Sequence, residues 1–294
     1  MGVLVSFHYF KKERLADLMT IFGDDQPLVF ADSGGFSAMN AGATIDVAAY
    51  STWLQDNADT ISYACTLDVV GDHKATAKNT KRLEADGHRV VPVFHVTEPW
   101  KVLEKMCEEH QFVALGGMVP HSHQRAALHR WIAYAVSIGA KYGTQFHGFG
   151  ITAPLIVGDV PLFSIDSTTW KNAAKYGAIH LWDDMRGWVV LPSRERRKRT
   201  EHRELLRSYG LAMADVLRDD YGMAAKGHRE EYITAGRVLA LAHVRFERWY
   251  HERHAPITVT DRDLPAGPHL FLACNPADLT MYVKPTFDLE GINA

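Results

Sequence analysis

The sequence lacks several features that would place a protein in a class at once. It has three cysteines among 294 residues, Cys65, Cys107 and Cys274, and no two of them form a Cys-x-x-Cys pair. This spacing excludes a disulfide framework and a cysteine-rich zinc site, and it predicts a reducing, cytoplasmic setting. No apolar run approaches about 18 residues, and the first ten residues do not form a secretory signal, so we expect neither secretion nor a membrane span.

The chain also has no large excess of positive or of negative charge. The chain carries 32 Lys and Arg against 35 Asp and Glu, a formal net charge of -3, which excludes a uniformly basic nucleic-acid binder but allows a local basic patch. A basic run follows Pro192, and it can be read as a phosphate-contacting surface or, because glutamates dilute it, as an ordinary solvated face. Its candidate nucleic-acid contacts are Arg194, Arg196, Arg197, Lys198 and Arg199.

No glycine-rich dinucleotide fingerprint follows the first apolar run. Short apolar runs alternate instead with amphipathic segments, which is typical of a β/α protein. Seven or eight such units predict a (β/α)8 TIM barrel over residues 1–190 rather than an open doubly wound sheet. The eighth strand has two candidates, Ile179–Trp182 and Trp188–Leu191. Residues 191–294 are predicted to form a helical, partly basic extension packed on the barrel, with irregular structure from Ala255 onward.

Polar residues and glycines stand where the apolar runs end. Because the carboxyl ends of parallel strands open onto one face of a barrel, where catalytic groups are placed, we expect these residues to line one pocket. Taken alone, a stretch such as Asp-Ser-Gly-Gly is an ordinary turn, so their shared position carries the argument. The residues are Asp32, Ser33, Gly34, Asp68, His95, Gly116, Gly117, Gly148, Gly150 and Asp166.

The motifs at these positions resemble those of the tRNA-guanine transglycosylases, especially the archaeal type. The resemblance covers roughly residues 25–175 and keeps the family's order of motifs. These enzymes exchange a guanine in a polynucleotide for a 7-deazaguanine, on a TIM barrel. The motifs that carry it are Asp32-Ser33-Gly34-Gly35-Phe36, Leu67-Asp68, Ala114-Leu115-Gly116-Gly117-Met118-Val119-Pro120, His147-Gly148-Phe149-Gly150 and Phe163-Ser164-Ile165-Asp166-Ser167.

The resemblance implies a role for each matched position. Asp166 matches the nucleophile that attacks C1′ of the ribose, and Asp32 matches the carboxylate that moves a proton to and from the bases. Asp68 matches the residue that hydrogen-bonds the base edge, and Gly116-Gly117 the backbone lying against the base. Independently of any family, replacing a base with retention requires two carboxylates with different tasks, about 5–5.5 Å apart in retaining glycosidases. The other predicted base-binding residues are Ser33, Gly34, His95, Gly148 and Gly150.

The chain departs from the family pattern in three ways. Ser37 stands where the family usually has a glutamine, and His95 sits near where another glutamine reads the base. The zinc site of three cysteines and a histidine is missing, and we expect no archaeal RNA-binding domain in the remaining residues. This combination is similar to the phage and bacterial relatives that insert 7-deazaguanines into DNA. We therefore expect a viral DNA-guanine transglycosylase in the host cytoplasm. It would use free 7-deazaguanine as co-substrate, need no zinc or other cofactor, and act on a flipped or single-stranded base.

Three alternatives stay open at this stage. The same exchange could act on tRNA, the chain could be a non-catalytic partner subunit, or the barrel could be a nucleosidase or glycosidase for small sugars. A homodimer or a partner protein is also compatible with the sequence. The pairs His121 with His123 and His251 with His254 lack further ligands at metal-binding spacing, so no metal site is expected.

Overall fold

The computed structural model describes residues 2–171, 178–192, 200–212 and 229–279. The chain forms two compact units, Met1–Ser167 with Tyr250–Pro276, and Thr168–Trp249 with Ala277–Ala294. The division therefore differs from the boundary predicted near residue 190, because the chain returns to the first unit after residue 249. The candidate phosphate contacts Arg194, Arg196, Arg197, Lys198 and Arg199 lie outside the described residues.

Eleven strands are found among the described residues. Nine of them form one parallel sheet in the first unit, and the other two pair with each other in the second. They are β1 (Gly2–Ser6), β2 (Val29–Asp32), β3 (Tyr63–Cys65), β4 (Val90–Val91), β5 (Val93–His95), β6 (Phe112–Gly116), β7 (Gln145–Gly148), β8 (Ser164–Ser167), β9 (Ile179–Asp183), β10 (Gly187–Leu191) and β11 (His269–Cys274).

The sheet of the first unit is nearly closed. Its order is β4-β3-β2-β1-β11-β8-β7-β6-β5, and its two end segments are separated in sequence by Pro92 alone. Proline cannot donate a ladder hydrogen bond, so it interrupts the strand at the point where β4 pairs with β3 and β5 pairs with β6. The predicted α/β class, with a sheet like that of a TIM barrel, is confirmed.

Helices follow most strands of the sheet. Asp46 caps α4 as predicted, since its side chain accepts a hydrogen bond from Ala48 N at 3.1 Å, and α5 ends at the predicted stop before Gly87. The helices are α1 (Phe7–Phe10), α2 (Leu15–Met19), α3 (Gly35–Asn40), α4 (Val47–Asp56), α5 (His73–Ala85), α6 (Trp100–Glu109), α7 (Arg125–Gly139), α8 (Pro154–Val157), α9 (Arg203–Ser208), α10 (Arg229–Arg253) and α11 (Pro276–Leu279).

Neither candidate for the eighth strand belongs to the main sheet. β9 and β10 pair antiparallel with each other, and Val190 in β10 is half exposed, as expected for a hairpin with one solvated face. The place between β1 and β8 is taken by β11, from the tail predicted to be irregular. All six residues of β11 are buried, which suits a parallel strand covered on both faces.

Large side chains fill the space that the nearly closed sheet encloses, and polar residues follow them at its carboxyl end. Phe30, Tyr63, Phe112 and Phe271 belong to one buried cluster. Because side chains alternate along a strand, Asp32 points to the same side of β2 as Phe30 and lies nearer the carboxyl end. Polar side chains such as Asp32 therefore lie at the carboxyl end of the sheet, next to the buried aromatic cluster.

The second unit has its own aromatic cluster. Trp182 and Trp188, from the two strands of the hairpin, pack on Phe246 of α10 with ring centroids 4.9 and 5.2 Å away. The guanidinium of Arg245 lies 4.0 Å from the ring centroid of Tyr209. Among the described residues, no helix is both long enough and apolar enough to span a membrane.

Candidate active site

Asp32 ends β2 and is held by two donors. Its Oδ2 accepts a hydrogen bond from the N–H of Gly34 at 3.1 Å, and its Oδ1 accepts one from the thiol of Cys65 at 3.3 Å. Burial, followed by the negative charge of Asp68, raises the pKa of Asp32 to about 7 against these two hydrogen bonds. Asp32 can therefore gain or lose a proton near neutral pH, which a general acid and base must do.

The turn after Asp32 depends on glycine at position 34. Gly34 has φ of 76°, a conformation that L side chains rarely adopt, and a Cβ there would overlap Ser6 Oγ and the Cβ of His8. Ser6 stands opposite Asp32 in the pairing of β1 with β2, and its buried hydroxyl makes no hydrogen bond within the described residues. The turn thus holds the Gly34 N–H against Asp32.

We expect Gly34→Ala to destabilise the protein by about 2 kcal/mol, because it adds both backbone strain and a steric overlap. The free energy of unfolding, measured by urea denaturation, checks this prediction. Gly42→Ala is a matched control, since Gly42 has φ of 67° but no atom lies within 4 Å of the added Cβ. Equal losses in the two variants would show that the overlap with Ser6 and His8 contributes nothing.

His95 links two carboxylates at the end of β5. Its Nε2 lies 2.9 Å from Asp68 Oδ2, and its Nδ1 lies 3.2 Å from Glu98 Oε1. The other oxygen of Glu98 accepts the backbone N–H of His95 at 3.3 Å. Burial opposes a charge on His95, but the hydrogen bonds with Asp68 and Glu98 outweigh it and raise its pKa to about 9. A pKa in this range favours a protonated His95 at neutral pH, with one ring N–H directed at Asp68 and the other at Glu98.

We expect Glu98→Gln to lower the pKa of His95 by about 1 unit or more and to destabilise the fold by about 2 kcal/mol at pH 7, because it removes one charge from a buried ion pair. In the wild type the stabilisation is complete below the unfolded-state value of about 6.5 and is lost as pH rises through about 9. NMR titration of the His95 ring checks the shift. An unchanged midpoint would contradict it.

The glycines that begin the loop after β6 lie against His95. Gly116 pairs with His95 in register, and a Cβ on Gly116 would stand 3.0 Å from His95 Cδ2. A Cβ on Gly117 would stand 3.4 Å from His95 Cβ and 3.5 Å from its Cδ2, and Gly117 is exposed. The His95 ring and the Val93 side chain, which a Cβ on Gly116 would approach equally closely, therefore leave little space for a side chain at residue 116, whereas Gly117 has an exposed surface.

Asp166 in β8 is bonded through one oxygen. Its Oδ1 accepts the N–H of Gly150 at 2.6 Å and lies 3.4 Å from His147 Nε2, while Oδ2 makes no hydrogen bond within the part of the chain that the structure describes. Asp166 is 5% exposed. Gly148 instead packs against Ile151, where a Cβ would overlap the Ile151 side chain. One oxygen is thus anchored and the other is available for bonding.

The structure brings the predicted carboxylates together. The charges of Asp68 and Asp166 both act on Asp32, and Ser33 donates a 3.4 Å hydrogen bond to Asp68 Oδ1. Sequence reasoning missed Glu98 and Ser6. The three-residue spacing between His95 and Glu98 at the start of a helical segment was a usable signal, whereas Ser6 had none.

The described residues contain no group of three histidine, cysteine, aspartate or glutamate side chains arranged to hold a metal ion. Comparisons of the chain with protein-family models, curated proteins and solved structures find no match. The resemblance to the guanine transglycosylases is therefore carried by the sequence motifs alone.

Proposed function

We propose that the protein is a base-exchange transglycosylase that replaces guanine in DNA with a 7-deazaguanine through a covalent bond between Asp166 and C1′ of the sugar. The observation that carries this proposal is the presence of two carboxyl groups with different surroundings at the carboxyl end of the sheet. Asp32 titrates near pH 7, whereas Asp166 has one oxygen anchored and the other unbonded within the described residues. Displacement with retention requires such a pair, a proton shuttle and a nucleophile.

The fold proposed with this function is a (β/α)8 barrel. If β4 and β5 are counted as one strand broken at Pro92, the sheet has the eight parallel strands of that fold. The candidate residues then stand at its carboxyl end, where barrel enzymes place their chemistry. In this proposal the polypeptide after β8 supplies a separate unit, residues 168–249, before returning as the last strand.

The exchange divides into two displacements. Asp166 Oδ2 bonds to C1′ as the bond from C1′ to the guanine nitrogen breaks, and the electron pair leaves with the base, which takes a proton from Asp32. The incoming 7-deazaguanine then gives a ring N–H proton to the Asp32 carboxylate, and its nitrogen displaces Asp166 from C1′. Two inversions give net retention, and Asp32 returns to its starting protonation state.

Asp68 is proposed to recognise the base edge. His95 occupies its Oδ2, so Oδ1, which has only the long hydrogen bond from Ser33, is the atom left to accept an N–H of the purine. A partly buried acceptor of this kind discriminates against a base that lacks the donor. His95 thus takes part in base selection through the carboxylate that it holds.

DNA is favoured over tRNA by the missing zinc cysteines, since only Cys274 follows Asp166. A non-catalytic subunit has no use for a nucleophile and a proton shuttle in one pocket, which disfavours that alternative. A target base in a duplex must be flipped out to reach the carboxyl end of the sheet. The proposed phosphate contacts are Arg194, Arg196, Arg197, Lys198 and Arg199.

The decisive experiment supplies radiolabelled guanine or 7-cyano-7-deazaguanine with single-stranded DNA, duplex DNA or tRNA, and measures which polymer becomes labelled. We expect label in DNA. Label in tRNA alone would overturn the DNA assignment, and hydrolysis of free nucleosides without label in any polymer would favour the nucleosidase alternative. Acid-stable protein–DNA adducts, detected by denaturing electrophoresis, test the covalent intermediate separately.

A further inference from the structure

His147 lies next to Asp166 and is packed among aromatic rings. It is completely buried, and its ring meets Phe30 and Phe149 edge-on with centroids 4.6 and 4.5 Å away. Its Nε2 faces Asp166 Oδ1 at 3.4 Å, longer than an ordinary hydrogen bond, and has no other partner within the described residues. A buried polar atom directed at the proposed nucleophile requires an explanation.

Two hydroxyl groups on the Nδ1 side of the ring determine which tautomer His147 adopts. Tyr63 OH donates to Ser164 Oγ at 3.3 Å, and Ser164 Oγ lies 2.8 Å from His147 Nδ1. Ser164 Oγ has no acceptor other than Nδ1 within the described residues, so its own proton goes to Nδ1. Nδ1 is then the acceptor, and the ring proton sits on Nε2.

The opposite tautomer would place the lone pair of Nε2 against the Asp166 oxygen. Two acceptors 3.4 Å apart repel each other, whereas an N–H opposite a carboxylate is attractive. Burial lowers the pKa of His147 despite the nearby Asp166, so the ring is neutral and a single tautomer decides its role.

We propose that His147 is a positioning residue for Asp166, held as the Nε2–H tautomer by the Tyr63–Ser164 hydroxyl pair so that its N–H and that of Gly150 both restrain Oδ1 and direct Oδ2 to the sugar. The inference rests on the proposed function, because it assigns Oδ2 the bond to C1′. The same two donors stabilise the charge on Asp166 when the second displacement releases it.

The tautomer can be measured without substrate. In protein labelled with ¹⁵N-histidine, we expect the His147 ring to show an unprotonated Nδ1 and a protonated Nε2 at neutral pH. Tyr63→Phe keeps the aromatic ring and removes only the hydroxyl, so it should release Ser164 and let the Nδ1–H tautomer become detectable. A charged ring or an Nδ1–H ring in the wild type would overturn the inference, whatever the enzyme does.

Two amide substitutions provide a matched pair for the reaction itself. The amide nitrogen of glutamine reaches the position of Nε2, whereas that of asparagine reaches only the position of Nδ1. We expect His147→Asn to slow adduct formation about 10²-fold with little change in KM for the free base, and His147→Gln to stay within about 10-fold of the wild type. Equal rates in the two folded variants would overturn the positioning role. A wild-type protein that forms no adduct with any polymer would overturn the proposed function, and the NMR result would still decide the tautomer.

Discussion

The Asp166→Asn variant should form no covalent adduct with DNA and should lose base exchange by about 10⁴-fold. The amide keeps the shape of the side chain and an oxygen that can accept the Gly150 N–H, now bonded at 2.6 Å. It cannot form the bond to C1′, because an amide nitrogen or oxygen is a poor nucleophile. Trapping with DNA followed by denaturing electrophoresis measures the adduct, and incorporation of labelled base measures the exchange.

Asp159→Asn is the control for this variant. Asp159 lies in the segment before β8, its side chain is 64% exposed, and it is 3.5 Å from His129 on the surface of the same unit. We expect this variant to keep full activity, since an exposed pair contributes little. An Asp166→Asn protein that retains wild-type exchange would remove Asp166 from the role of nucleophile and leave Asp32 or Asp68 to be tested in its place.

Much of the first unit could be predicted from sequence because its signals are local. An apolar run such as Val29–Ala31 that ends in a carboxylate and glycines marks a buried strand and its exit, and Asp46 marks a helix start by its own capping hydrogen bond. The strand ends then share one edge of the sheet by topology alone. For this reason the prediction that Asp32, Asp68 and Asp166 lie together follows from the strand assignments.

Closure of the sheet could not be predicted in the same way, because it is a long-range property. β11 begins about 100 residues after β8 in sequence and pairs with it and with β1. Its run of six buried residues is short, and β9 and β10 offered equally apolar alternatives closer in sequence. A strand of the nine-stranded sheet differs from a strand of the hairpin only in the strands with which it pairs. Local periodicity carries no information about those partners.

The protonation states of the site residues could not be predicted from sequence either. That Asp32 titrates near neutral pH depends on its burial and on the charges of Asp68 and Asp166, which come from two other strands. The charge on His95 depends on Asp68 and Glu98 together. A motif identifies which residues are present, whereas their protonation depends on distances that only the fold determines.

Asp32 is expected to weaken the fold at alkaline pH, and Asp32→Asn should relieve that effect. The pKa of Asp32 is raised from 3.8 to about 7, a difference worth about 4 kcal/mol for a fully buried group. The contribution of the neutral carboxyl to stability is complete below about 3.8 and is lost as pH rises through about 7. Because Asp32 is partly exposed, we expect Asp32→Asn to gain about 2 kcal/mol above pH 8 and almost nothing at pH 4.

Thermal unfolding of both proteins between pH 4 and pH 9 measures this difference, with Asp24→Asn as the control for loss of one exposed charge. The same Asp32→Asn protein should lose base exchange by about 10²-fold or more, since an amide cannot carry the proton between the two bases. If the Asp32→Asn variant gains more stability as the pH rises and also loses activity, Asp32 serves the reaction and lowers the stability of the fold. A stability difference that does not vary with pH would show that Asp32 ionises like an exposed carboxylate, and the proton shuttle would have to be sought among the other site residues.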